Sequence, residues 1–320
     1  MALDHYVPQV HLRNFYSHEL GRRMYALRKS DLRAFTCRSE DVCRIEAGST
    51  NPYLKEPRII EDFLTEVEPY YNASVANLRS DTIDHRTVFA IGGFIAYVQT
   101  SSPAGMRIFS EPLRKSLETI AEVEDAKGSI PLSPAQLGGK SLTKLIAEGA
   151  IKFTVDPKYP QALGVTTIMG RLSKLGNSRW EILLNDHPTS PFFTSDYPLA
   201  IETAYDPRIV HWIIPLAPDI AVRIIPDLRL ARSKDDLTFS KFSYNVRRLR
   251  HAEVRELNQR IVQCAEDNVF YRNDEKWVAN FIAKNRHYRI ETNTRKIRIS
   301  TGIRSLPALS IAPHRYATDT

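Results

Sequence analysis

The chain has 320 residues, 42% hydrophobic and 25% charged, with three cysteines and a formal net charge of +7 at pH 7. That composition excludes a disordered, collagenous or coiled-coil chain, and the length suits one large domain or two closely packed ones. No run approaches the ~20 apolar residues of a membrane helix, and Asp4 and His5 stand where a secretory peptide would be basic and then apolar, so a cytoplasmic protein outside the membrane is expected.

In chain order, a short helix is expected around Val10 to Phe15 and a strand at Arg23 to Leu27. A helix follows Pro57, with Ile60, Phe63, Leu64 and Val67 on one face; Val75 and Leu78 extend it beyond Pro69, which is expected to kink or split it. Asp84 is placed to cap the next helix, apolar nearly all round from Val88 to Val98 and therefore central, whose Gly92-Gly93 pair predicts a close helix–helix approach. Further helices are expected over Ala104–Val123 and Val165–Leu175, separated by a Pro- and Gly-bearing loop at 127–140.

From Arg179 the pattern turns to strands: Trp180–Leu184, Phe192–Thr194, Ile209–Ile214 and Ile220–Ile225, the last two joined by a hairpin connection at Pro215 to Asp219. Helices return over His251–Tyr271 and Glu275–Lys284. Strands Tyr288–Glu291 and Lys296–Ser300 close the pattern around a turn at Asn293-Thr294. Strands grouped between helices read as an α+β fold with central antiparallel strands. A single domain is expected over 1–304, with a helical block at about 57–176 and a sheet-containing part at about 179–304; 305–320 reads as a disordered tail.

The charge is uneven. From Lys241 to Arg304 there are 15 Lys and Arg against 7 Asp and Glu, an excess of eight. A basic segment attracts phosphates, which makes nucleic acid the natural partner class, although a solvated basic face would show the same imbalance. Arg247, Arg248 and Arg250 before the late helix, and Lys284, Arg286, Arg289, Arg295, Lys296 and Arg298 around the last hairpin, are expected to follow a phosphate backbone, with His287 and Tyr288 stacking on bases. Cys37, Cys43 and Cys264 form neither a disulfide framework nor a zinc spacing, and Cys264 reads as a small buried hydrophobe. No Gly-rich phosphate loop, Gly-x-Ser-x-Gly elbow or His-Glu-x-x-His pair occurs.

Several segments together resemble one family. His5-Tyr6-Val7-Pro8-Gln9 followed by Leu12 and Asn14-Phe15, and Phe192-Phe193-Thr194-Ser195-Asp196-Tyr197-Pro198, are similar to the opening and central motifs of the family called domain of unknown function 4238. Trp180–Leu184, the Pro215-Leu216 step and a late helix with Asn258 fall in the same order, so the resemblance spans residues 4–285. It implies a bacterial cytoplasmic protein and no particular reaction. Where the family pattern has Arg-Thr-Pro, this chain has Ser101-Ser102-Pro103, leaving Arg107 as the nearest substitute if that arginine binds an anion.

The candidate catalytic residues are His5, Asp196 and Glu68. His5 suits a general base or metal ligand, and equally a clamp docking the terminus. The Thr194-Ser195-Asp196 turn offers three side-chain oxygens to a metal, a water or a phosphate, but the same residues are ordinary turn formers. Glu61 and Glu68, two helical turns apart, would complete an oxygen-rich site suited to Mg²⁺ or Mn²⁺. Tyr6, Gln9, Thr194, Ser195, Asn258, Arg107, Arg247, Arg248, Arg250, Arg286 and Arg289 are the expected substrate contacts. The leading expectation is a nucleic-acid-directed hydrolase, a metal-assisted nuclease. A non-catalytic nucleic-acid- or protein-binding module, or an enzyme with a small-molecule pocket between helices and sheet, stands beside it.

Overall fold

A computed structural model describes residues 3–204, 206, 209–299 and 302–316. The chain opens with β1 (Leu3–His5), α1 (Gln9–Arg13), β2 (Met24–Arg28), β3 (Ala34–Cys37) and β4 (Arg44–Glu46). A helical block follows: α2 (Ile59–Arg79), α3 (His85–Ser101), α4 (Pro103–Ala126), α5 (Leu142–Ala147), α6 (Lys158–Thr166) and α7 (Ile168–Gly176). Next come β5 (Arg179–Leu184), β6 (Thr194–Ser195), β7 (Ala200–Thr203), β8 (Val210–Ala217), β9 (Ile220–Ile225) and β10 (Ser243–Arg248). Then α8 (His251–Cys264), β11 (Asn268–Tyr271) and α9 (Val278–Asn285) lead into a hairpin of β12 (Tyr288–Ile299) and β13 (Gly302–Pro313). The class is α+β.

Helix α3 is the axis of the helical block. The Asp84 carboxylate caps it by accepting from the Thr87 N–H at 2.7 Å, and nearly every residue after Thr87 is buried. A Cβ at Gly92 would lie 2.7 Å from Leu172 and one at Gly93 2.6 Å from Val67, so the glycine pair admits α7 on one side and α2 on the other. Ser102 turns the chain into α4, its Oγ accepting from the Gly105 N–H at 3.0 Å. Helix α2 runs unsplit through Pro69. The helix expected over Val165–Leu175 divides at Thr167 into α6 and α7.

Two main sheets pack beside this block. One has the order β10-β5-β9-β8-β7 and is antiparallel except for the parallel β10–β5 pair; the other, β3-β2-β11-β6, is antiparallel throughout. Trp180, Ile182, Ile213, Ile214, Val222 and Ile224 of the first sheet join Phe94 and Leu172 in one apolar core. Val7, Leu12, Phe15, Met24, Cys43 and Phe270 make a smaller one under the N-terminal segment.

Pairing between distant segments corrects several expectations. The helix read over His251–Tyr271 stops at Cys264, because 268–271 pair with β2 and β6. Arg247 and Arg248 end strand β10 and Arg250 is the N-cap of α8, so this cluster stands at the entry to the late helix as expected. The strands read at 288–291 and 296–300 are one strand, and the expected turn at Asn293-Thr294 is its interior. Its partner is 302–313, so 305–313 is strand and not disordered tail. Ser300 and residues 317–320 lie outside the described residues. Among the described residues, no helix is long and apolar enough to cross a membrane.

The α3–α4 elbow gives a direct test. A Cβ at Gly105 would sit 2.1 Å from the Gln99 carbonyl oxygen. Gly105→Ala is expected to lower unfolding free energy by about 1–3 kcal/mol or more in urea titration, as over-packing does. An unchanged midpoint contradicts the close approach.

Candidate functional site

The central motif is held from several directions. Asn258 on α8 accepts from the Phe193 N–H at 3.0 Å and donates to the Pro191 carbonyl at 2.8 Å, so both ends of its amide are occupied. Three residues after Phe193, the buried Asp196 turns its carboxylate onto the chain between α8 and β11. Its Oδ1 accepts from the Glu266 N–H at 3.0 Å, and its Oδ2 from the Asp267 and Asn268 N–H groups at 2.9 and 2.8 Å. Burial pushes this carboxyl up to about 6 and nearby Glu266 adds to the push, while the Asn268 and Asp267 donors and Lys29 act against it. Lys29 is fully buried, and its Nζ donates to the Ala265 and Tyr288 carbonyls at 2.5 and 2.8 Å. Burial lowers it to about 8 despite Asp196, Glu266 and Asp267.

The opening motif locks onto the same junction through His11. That ring lies between the Tyr71 hydroxyl at 2.7 Å and Thr194 Oγ1 at 2.8 Å, stacked on Phe94 with centroids 4.8 Å apart. Burial pushes it down to about 3, so it is neutral at physiological pH. Asn14 donates to the Leu216 carbonyl at 3.2 Å, joining the opening motif to the Pro215-Leu216 step. The Tyr6 phenol is buried against Cys43, with its pKa raised by burial and then by Cys43 and Asp196. Ser195 Oγ accepts from the Tyr197 N–H at 3.2 Å, and Gln9 Oε1 accepts from Arg13 and Ser39. Tyr6, His11, Asn14, Thr194, Asp196, Leu216 and Asn258 thus form one interlocked support.

Among the described residues His5 and Glu68 share no hydrogen bond with Asp196. The His5 carbonyl accepts from the Tyr97 hydroxyl at 2.6 Å; the ring pKa is lowered by burial, and Nε2 is shielded with no partner among the described residues. Glu68 is half-buried on α2, its carboxyl raised by burial and opposed by Arg13. Among the described residues no three His, Cys, Asp or Glu are arranged to hold a metal ion, so the Mg²⁺ or Mn²⁺ site expected from His5, Glu68 and Asp196 finds no donor set there.

Most of the expected phosphate-binding cations have internal partners. Arg107 pairs with Glu266 and Glu291 and donates to the Ile290 carbonyl. Arg247 and Arg250 share Glu253, Arg248 pairs with Asp186, and Arg289 with Glu291. Arg286 donates to the Lys29 and Ser30 carbonyls. The side chains of Arg295, Lys296 and Arg298 lie outside the described ones.

A different cationic group remains open. His251 and Arg255, one turn apart on α8, face Trp277, Asn280, Phe281 and Lys284 across a cleft of about 330 Å³ floored by Ser190. No carboxylate among the described residues pairs with Arg255 or Lys284. Trp277 stacks on Phe193 with ring centroids 5.6 Å apart and donates from Nε1 to the Thr189 carbonyl at 3.2 Å. The cleft floor is part of the loop that Asn258 holds at Pro191. Sequence reading missed Arg255 and Trp277, whose signal was a basic residue one helical turn after His251 and a lone indole before an apolar helix.

A family described as protein of unknown function (DUF4238) matches residues 4–275, which include α8 and end before α9 and the hairpin. No curated protein and no solved structure gives a significant match.

Two outcomes follow from the junction. Asp196→Ala orphans buried backbone donors and is expected to cost roughly 3 kcal/mol or more in urea unfolding, and Asp196→Asn less; equal stability of all three proteins contradicts the clamp. For His11, the unfolded chain binds a proton below about 6.5 that the native ring refuses until about 3, so His11 makes stability fall as pH drops through that window. Asp196, with its raised native pKa, acts in the opposite sense between about 6 and its ordinary value. Comparing wild type with His11→Gln isolates the histidine: the stability gap should narrow by roughly 2 kcal/mol from pH 7 to pH 5. A constant gap contradicts a neutral buried His11.

Proposed function

The chain belongs to the DUF4238 family, and for this member we propose a non-catalytic protein that binds single-stranded nucleic acid in the cleft between α8 and α9. The observation that carries this reading is the convergence of His251, Arg255 and Lys284 with Trp277 around one cleft, with Arg255 and Lys284 free of carboxylate partners among the described residues. Unpaired cations attract phosphates and release condensed counterions on binding, and an indole offers a stacking surface to any base. Asn280 adds donors and an acceptor for a sugar or base edge.

Hydrolysis through Asp196 draws less support. A carboxylate whose oxygens already accept three backbone N–H bonds, buried in the junction, has little left with which to orient a water or bind a metal. Arg107, the substitute for the family's arginine, is held by two carboxylates.

The reading is tested by fluorescence anisotropy with labelled mixed-sequence single-stranded RNA and DNA. Arg255→Ala with Lys284→Ala should weaken binding at least about tenfold and reduce the slope of log K against log salt by roughly 1.4, two phosphates' worth for a single strand. The oligonucleotides should stay intact with Mg²⁺ or Mn²⁺. Unchanged affinity in the double variant overturns the cleft assignment, and metal-dependent cleavage lost in folded Asp196→Asn restores the hydrolase.

A further inference from the structure

A second cleft, of about 560 Å³, lies between α4, α6, α7 and the terminal hairpin, within the roughly 300–1,000 Å³ range of small-molecule sites. Ile108, Phe109, Pro112 and Leu113 of α4 form one wall, and Pro160 and Leu163 of α6 another; Pro307, Ala308 and Leu309 of β13 close it. The hairpin wall is fixed, since Thr292 Oγ1 donates to the Ile108 carbonyl at 2.9 Å. In this apolar setting stands one cation, Arg171 of α7. Its guanidinium carbon lies 4.7 Å from the centre of the Phe109 ring, its Nη1 is shielded from solvent, and no group among the described residues accepts a hydrogen bond from that nitrogen.

A shielded guanidinium nitrogen without an acceptor is costly, and a ligand that supplies an anion removes the cost. We infer that this cleft binds an apolar small molecule carrying a single carboxylate, with Arg171 receiving the carboxylate and the α4, α6 and β13 walls the apolar body. One cation balances one charge, so a phosphate dianion would bring a second charge with no partner. The guanidinium fork matches a planar carboxylate, and its carbon sits over the Phe109 ring. The site is independent of the α8–α9 cleft.

The probes are decanoate, decan-1-ol and decylamine, each titrated by calorimetry below its micellar concentration into the full chain. Decanoate should bind at least tenfold more tightly than decanol, and decylamine should not bind. Arg171→Met should erase the preference for decanoate while leaving decanol binding in place. Leu163→Trp, on a partly exposed wall residue, should abolish both and serves if Arg171→Met does not fold. Equal binding of acid and alcohol by wild type overturns the role of Arg171. Absence of binding by all three probes overturns the site.

Discussion

The carboxylate of Asp196 is the constraint on which the rest depends. Three consecutive backbone N–H groups, at 266, 267 and 268, point at its two oxygens just where α8 gives way to β11. Without an acceptor these donors would be orphaned at a helix-to-strand junction, a costly arrangement inside a protein. With it, β11 starts in register between β2 and β6. Lys29 closes the opposite side by donating to the Ala265 and Tyr288 carbonyls, so the same junction ties down the base of the terminal hairpin. Two groups that look like chemistry, a buried acid and a buried lysine, do their work on the backbone.

This explains why polar residues recur in the opening and central motifs. His11 joins α1 to α2 and β6 in one step, through Tyr71 and Thr194. Asn14 reaches Leu216, and Asn258 spans Pro191 and Phe193. Each satisfies buried groups that the sheet ladders and helices leave over, and a fully satisfied network specifies one arrangement. The basic segment follows a similar economy. Arg247 and Arg250 pair with Glu253, Arg248 with Asp186 and Arg289 with Glu291, while Arg255 and Lys284 face the indole.

Much of the fold was legible in the chain. The helical block followed from its 3.6-residue periodicity, the Asp84 cap and the Gly92-Gly93 approach, and strands 180–184 and 220–225 from short β-branched runs. What escaped depended on partners far along the chain. Residues 268–271 continue the helical pattern of α8 and become strand only because β2 and β6 lie on either side. Residues 305–313 are strand only because 288–296 pair with them. The site was legible as residue types and not as roles. Asp196, Asn258 and Tyr6 stand out in the chain, yet a local turn, a metal ligand and a clamp on a distant backbone share one sequence signature. His11 sits buried in α1 while His5, six residues earlier, ends β1, a difference that residue type alone does not show.

The most direct measurement is amide hydrogen exchange at Glu266, Asp267 and Asn268 in wild type and in Asp196→Ala. Strong protection of all three in wild type, with selective loss in the variant while the amides of α3 stay protected, is the expected result. Rapid exchange at these positions in wild type, or protection that survives removal of the carboxylate, would contradict the clamp and return Asp196 to the list of groups free for chemistry.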